Sequence, residues 1–113
     1  MNYKIVTTDD FKREIKFFIK KYHSFLEDLK KFEKELLKNP EIGDKLGDNT
    51  RKIRMAIASK GKGKRGGARI IACNVLISIE NTNIYLLTIY DKSEQDSITE
   101  QEIRRLKEYN GLQ

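Results

Sequence analysis

Apolar residues recur at helical spacing through the N-terminal part of the chain. Two sets share this period and each marks one helical face: Phe11, Ile15, Phe18, Ile19 and Tyr22, then Phe25, Leu29, Phe32 and Leu36. Residues 7–10, TTDD, are suited to begin the first helix, because a threonine hydroxyl there can accept hydrogen bonds from backbone N–H groups of the first turn. Ser24 and Glu27 form a capping-box pattern that restarts the second helix, and Pro40 ends it. The pattern therefore predicts two consecutive helices with a break near residues 22–24.

Farther along, the apolar pattern changes to one typical of strands. Ile53, Met55 and Ile57 alternate with polar or small residues, and residues 69–79 and 83–90 are rich in Ile, Val, Leu and Tyr. Residues 81–83, Asn-Thr-Asn, are predicted to form the hairpin turn between these two strands. Residues 2–6 are predicted as a short edge strand, and residues 41–50 as a loop.

A last helix is predicted near the C-terminus, with Ser97 or Thr99 as its cap and Ile103 and Leu106 facing inward. The predicted order is strand, two helices, three antiparallel strands and a helix. This order favours an α+β fold in which the helices, an N-terminal helical hairpin and a short C-terminal helix, pack on one face of a small antiparallel sheet. A chain of 113 residues fits one domain, 1–113.

Composition excludes several classes of protein. The single cysteine, Cys73, cannot form an internal disulfide, and one cysteine with one histidine cannot build a typical zinc cluster. No apolar run approaches the roughly 20 residues of a membrane span, and the first residues do not resemble a secretory signal. We therefore expect a cytoplasmic protein with no membrane association, no metal and no cofactor.

Positive charge is concentrated in one segment. The chain has 23 basic and 17 acidic residues, a formal net charge of +6. Residues 51–79 contain eight basic residues and no acidic one, so the remainder has 15 basic and 17 acidic residues, a balance of −2. Such a patch on an otherwise balanced domain is typical of a protein that binds a polyanion, although a solvated basic loop would have the same composition.

Residues 60–67, KGKGKRGG, are too glycine-rich for a helix or strand interior and are predicted as a turn. They lack the Walker pattern, but their glycines would allow backbone N–H groups to approach a phosphate. RNA can be cleaved by attack of its own 2′-hydroxyl if the protein stabilises the added negative charge and protonates the leaving oxygen. Arginine suits the first task, and lysine or tyrosine the second.

Two segments together resemble the RelE/HigB superfamily, the toxins of bacterial type II toxin–antitoxin modules. They are residues 62–71, KGKRGGARII, and residues 84–94, IYLLTIYDKSE. Residues 51–54, RKIR, and residues 102–104, EIR, are similar to the HigB-like branch. This resemblance covers most of the chain, including the order of its predicted elements.

The resemblance implies a compact RelE-like toxin that cleaves mRNA, typically in the ribosomal A site, and thereby inhibits translation. Such an endoribonuclease, or mRNA interferase, needs no metal. The implied partners are a cognate antitoxin, the ribosome with its ribosomal RNA, and mRNA. Operator DNA would be contacted only indirectly, through the antitoxin.

The resemblance also implies site residues. Arg69 matches the phosphate-stabilising arginine at the start of a central strand, and Lys92 matches a second basic residue after the last strand. Arg54 is the catalytic candidate on the first basic strand, and Tyr90 is the candidate to stack on a base or transfer a proton. The residues expected to bind RNA are Lys52, Lys60, Lys62, Lys64 and Arg65. Ala72-Cys73 departs from tyrosines found in many relatives, so the general acid and base stay open.

Two other functions are compatible with the sequence. A toxin of the same fold could inhibit a protein target such as gyrase, as the ParE relatives do, although the dense basic segment argues against this. The chain could also be a nucleic-acid-binding module with no catalytic activity.

Overall fold

The computed structural model describes residues 1–112, which form three helices and a five-stranded mixed sheet. The elements are β1 (Asn2–Thr7), α1 (Asp9–Lys21), α2 (Phe25–Lys38), β2 (Asp44–Lys45), β3 (Thr50–Met55), β4 (Ala68–Ser78), β5 (Asn81–Asp91) and α3 (Glu100–Tyr109). A short 3-10 turn, Ala58–Lys60, follows β3. The predicted α+β class, the paired N-terminal helices and the C-terminal helix are confirmed.

The sheet has the strand order β1-β5-β4-β3-β2. β1 lies at one edge, as predicted, but it pairs parallel to β5, with Ile5 opposite Ile84. The other neighbouring strands are antiparallel, so the prediction of a purely antiparallel sheet is wrong. Parallel pairing is possible here because both N-terminal helices and three strands separate β1 from β5, which gives the chain ample length to cross over.

Helices cover both faces of the sheet, whereas the sequence analysis placed them on one. Ile70 and Ala72 of β4 pack in a cluster with Phe11, Phe18 and other residues of α1 and α2. The intervening Ile71 and Cys73 pack in a second cluster with Ile103 and Leu106 of α3. The continuous apolar run of β4 is the signal of burial on both faces. We call the second side the α3 face.

Two loops differ from their predictions. β4 and β5 are joined at Ile79 and Glu80, and not at residues 81–83. Residues 81–83 are extended because they pair both with β4 and with β1, where Asn2 lies opposite Asn81. Residues 41–50 also contain more order than a loop, since the short β2 pairs with Arg51 and Lys52 of β3.

Side-chain caps fix two of the three helix starts. The hydroxyl oxygens of Thr8 and Thr99 accept hydrogen bonds from the backbone N–H groups of Phe11 and Glu102. Each is one of the two hydroxyl residues that the sequence offered as a cap for its helix. The capping box predicted at Ser24 does not form, because the Ser24 hydroxyl donates to the carboxylate of Asp28, 2.7 Å away.

The edge of β5 beyond β1 is covered by a side chain. The carboxylate of Glu14 accepts hydrogen bonds from the backbone N–H of Ile89, 3.0 Å away, and from the hydroxyl of Thr88. Burial raises the pKa of Glu14, and these hydrogen bonds oppose the rise. Helix α1 therefore supplies hydrogen-bond acceptors to the edge of β5 beyond the end of β1, and it holds the last residues of β5 in place.

Gly67 is expected to be essential for folding. A Cβ atom at this position would lie 2.0 Å from the backbone oxygen of Met55, so Gly67→Ala should lower the free energy of unfolding by about 2 kcal/mol or more. Gly47→Ala is the matched control, since a Cβ there meets nothing within 4 Å. Urea unfolding of both variants tests this, and equal stability of the two would contradict the packing at Gly67.

Candidate functional site

One row across three strands carries three of the predicted catalytic residues. Arg54 of β3 lies opposite Arg69 of β4, which lies opposite Tyr90 of β5. Residues directly opposite on neighbouring strands project to the same face. Lys52 lies on this face as well, because it pairs with Ile71, whose side chain packs toward α3. The strand register therefore brings together Lys52, Arg54, Arg69 and Tyr90.

Arg69 is buried, at 5% exposure, whereas its predicted contact with an RNA phosphate would require an accessible side chain. Its guanidinium group donates hydrogen bonds to three backbone carbonyl oxygens, those of Lys64 at 3.1 Å, Arg65 at 2.9 Å and Ala68 at 3.2 Å. Substitution of Arg69 would therefore disturb the structure. The buried guanidinium group also contributes positive charge to the row.

The hydroxyl of Tyr90 is buried and makes no hydrogen bond to any residue within the described part of the chain. Burial raises the pKa of Tyr90, the charge of Arg69 opposes this rise, and the charge of Asp96 adds to it. The hydroxyl consequently keeps its proton at neutral pH, which makes it a donor and a candidate acid more than a base.

Lys92 follows the end of β5 and pairs with Asp96. Its ammonium group forms an ion pair with the Asp96 carboxylate and donates to the Asp96 carbonyl oxygen at 3.1 Å. The hydrogen bond from Lys92 lowers the pKa of Asp96, and the charges of Lys52 and Arg69 lower it further. An exposed carboxylate therefore lies among the cations of the row, where an RNA phosphate would be attracted as well.

Lys60 is not available to bind RNA, contrary to the prediction. Its ammonium group forms an ion pair with Asp91 at 2.6 Å, and both side chains are only 6% exposed. Asp91 also accepts hydrogen bonds from the hydroxyls of Tyr22 and Ser93. Burial alone would raise the pKa of Asp91, but the hydrogen bonds from Lys60, Ser93 and Tyr22 outweigh it and hold the pKa well below its usual range.

The remaining basic residues of the glycine-rich turn are exposed, as their predicted contact with RNA requires. Lys64 forms an ion pair with Glu35 of α2 at 2.9 Å. Lys62 and Arg65 form no ion pair within residues 1–112. Exposed pairs of this kind contribute little stability, so Lys64 can exchange Glu35 for another anion.

Sequence reasoning missed Asp91 and Asp96. Both lie in residues 90–96, next to predicted site residues, and their carboxylates contact Lys60 and Lys92. The sequence signal that could have identified Asp91 is its place as a charged residue at the end of an apolar strand. A carboxylate in such a place is buried only when it has a partner. Its partner lies 31 residues earlier in the chain and could not be identified from sequence.

Two cavities border the site. A cavity of about 360 Å³ between α1 and the end of β5 is bordered by Phe17, Tyr22 and Tyr90. Another, of about 220 Å³, is bordered by Arg54 and Lys64.

No group of three or more His, Cys, Asp or Glu residues within 1–112 could hold a metal ion. None of the helices in that range is long and apolar enough to cross a membrane.

No protein-family model matches the chain.

The buried ion pair gives a test by unfolding. Asp91→Asn should lower the free energy of unfolding at neutral pH by about 3 kcal/mol, because the ammonium group of Lys60 would lose its carboxylate. The folded-state pKa of Asp91 is depressed, so its contribution is present above the usual aspartate pKa of about 4 and is lost as the pH falls. The variant should therefore lose less stability than the wild type on acidification.

Asp96→Asn is the control for this measurement. The pKa of Asp96 is also lowered, but its side chain is 93% exposed, so little change in stability is expected. Urea unfolding of the three proteins between neutral and acidic pH provides the comparison. If Asp91→Asn and Asp96→Asn had the same small effect, the buried pair would not contribute as described.

Proposed function

We propose that the chain is the toxin of a type II toxin–antitoxin module and cleaves mRNA on the ribosome as a metal-independent endoribonuclease. The observation that carries this proposal is the row of Arg54, Arg69 and Tyr90, with Lys52 beside it on the same face. In 2′-hydroxyl-driven cleavage of RNA, the exposed Arg54 with Lys52 can stabilise the added charge on the phosphate, and a protonated tyrosine can supply a proton.

The arrangement of elements supports the same proposal. A helical hairpin follows β1 and precedes the other four strands, and a short helix follows β5, which is the arrangement expected for a RelE-like toxin. The basic glycine-rich turn lies directly before β4 and therefore next to the row. The cognate antitoxin, the ribosomal A site and a cytoplasmic location belong to this proposal, as does indirect contact with operator DNA through the antitoxin.

The chemistry of the row can be written as one displacement at phosphorus. The 2′-oxygen of the RNA forms a bond to the adjacent phosphorus while its proton passes to solvent water, and the bond to the 5′-oxygen breaks. The exposed Arg54, with Lys52, stabilises the added charge on the phosphate oxygens. Tyr90 delivers its proton to the leaving 5′-oxygen, which requires that RNA binding expose a hydroxyl that is buried in the free protein. Lys92 can return a proton to Tyr90 or hold the phosphate. The products carry a 2′,3′-cyclic phosphate and a 5′-hydroxyl.

Tyr90→Phe is the sharpest test of this function, because the buried hydroxyl has no partner within the described residues. Its removal should leave the stability unchanged, or raise it slightly, since no hydrogen bond is lost. Cleavage should nevertheless slow about 100-fold or more if the hydroxyl acts as the acid. The measurement is brief induction in bacterial cells with mapping of 5′-hydroxyl ends in transcripts, alongside urea unfolding of the purified variant.

Arg54→Ala tests the electrostatic part of the site. Arg54 is exposed, so its removal should leave the fold intact and lower the cleavage rate about 100-fold. Arg13→Ala, which removes an exposed arginine of α1, is the control and should cleave like the wild type.

The same induction experiment separates the alternatives. Wild-type cuts within translated codons that disappear in Tyr90→Phe and Arg54→Ala would support the proposed nuclease. Growth arrest with intact transcripts would contradict it and point to a protein target such as gyrase. Binding of RNA with neither arrest nor cleavage would indicate a non-catalytic binding module.

A further inference from the structure

The glycine-rich turn and the residues that lead into it, residues 58–67, form what we call the basic loop. Four of the residues expected to bind RNA lie in it: Lys60, Lys62, Lys64 and Arg65. Three of them are exposed, but the ammonium group of Lys60 is buried against Asp91. Arg69, just after the loop, is buried as well. Lys62, Lys64 and Arg65 are therefore accessible to a ligand, whereas Lys60 and Arg69 are buried in the protein.

Buried carboxylates hold the beginning of the basic loop. Asp28 of α2 accepts a hydrogen bond from the backbone N–H of Ala58 at 3.0 Å, and it is 6% exposed. Lys60 forms its ion pair with Asp91 and lies 3.2 Å from the hydroxyl of Ser93. The loop is thus anchored both to α2 and to the end of β5, although these elements are far apart in sequence.

The guanidinium group of Arg69 holds the end of the basic loop. Because it donates to the carbonyl oxygens of Lys64 and Arg65, these carbonyls point toward the protein interior. The carbonyl oxygen of Gly67 accepts a hydrogen bond from the backbone N–H of Lys92 at 3.1 Å. Gly61 and Gly63 adopt positive φ values of 69° and 62°, a conformation that favours glycine.

We propose that Lys60 and Arg69 are positioning residues that brace the basic loop, and that Lys62 and Arg65 bind phosphates of the RNA. This inference rests on the proposed function for the identity of the ligand. A braced loop loses little conformational entropy on binding, so its exposed cations bind phosphate more tightly than the same cations on a mobile loop. Lys64 contributes less than Lys62 or Arg65, because Glu35 neutralises it in the free protein.

Salt dependence of binding distinguishes a phosphate contact from a brace. The probe is a short fluorescent single-stranded RNA whose 2′-hydroxyls are methylated, so that it cannot be cleaved. Each phosphate contact adds about 0.7 to the slope of log affinity against log salt for a single strand. Lys62→Ala and Arg65→Ala should each reduce the slope by about that amount. Lys4→Ala, which removes an exposed lysine of β1, is the control and should leave it unchanged.

The brace is tested by variants that avoid an unpaired buried charge. The double variant Lys60→Met with Asp91→Asn removes both members of the ion pair, and Arg69→Lys keeps the charge but cannot reach three carbonyls. Both should bind the RNA about ten-fold more weakly with an unchanged slope. A slope reduced by about 0.7 in the double variant would show instead that Lys60 contacts a phosphate and would overturn its positioning role.

Amide hydrogen exchange tests the brace without RNA. The backbone N–H groups of Gly61, Gly66 and Gly67 bond to carbonyls within the loop, and they should exchange about ten-fold faster in both variants. Those of Ile70 and Ile89, in the core, should be unchanged if the fold is intact. Unchanged exchange at the glycines would overturn the brace.

The two experiments separate this inference from the proposed function. If the wild type bound the RNA with no dependence on salt, the proposed function would fail and the assignment of Lys62 and Arg65 would fail with it. The exchange experiment would still decide whether Lys60 and Arg69 brace the loop. Salt-dependent binding with unaffected exchange would support the nucleic-acid ligand and reject the brace.

Discussion

Strand β4 lies at the centre of the sheet and is buried on both faces, so its register with β3 and β5 cannot shift by one residue. Such a shift would turn Arg69 toward the cluster under α1 and α2 and would turn Ile70 toward α3. Both clusters would then contain groups that do not fit them. The same register aligns Arg54 and Tyr90 with Arg69. The requirement to bury two apolar faces therefore also determines which polar groups meet at the candidate site.

The alternation of side chains at the end of β5 separates structural from chemical tasks. Tyr90 projects toward the α3 face, where its hydroxyl lies near the charge of Arg69. Asp91 projects to the opposite side, where its carboxylate accepts hydrogen bonds from the side chains of Lys60, Tyr22 and Ser93. Lys92 then pairs with Asp96 near the row. Tyr90 and Lys92 thus lie at the row, whereas Asp91, between them in sequence, contacts the core beside α1 and the basic loop. This alternation explains how the buried ion pair that supports the loop can lie directly next to exposed cations.

A count of basic residues overstates the charge that a ligand would meet. Among the residues predicted to act on or bind RNA, Arg69 and Lys60 donate their hydrogen bonds to other groups of the protein. The exposed charge comes mainly from Arg54, Lys62 and Arg65. The buried cations still matter, because a charge in a poorly hydrated place is weakly screened, and because the groups they hold are the ones that carry the exposed charge.

The sequence alone determined the helices, their break near residues 22–24, hydroxyl caps within residues 7–8 and 97–99, and the turn at residues 60–67. These features depend on residues within a few positions of one another, so their signals are local. It also identified the residues of the row as candidates. Only the tertiary structure decided that β1 pairs parallel to β5, that helices cover both faces, and that Lys60 meets Asp91. Each of these depends on groups distant in sequence that come together only when the apolar faces of the sheet are buried.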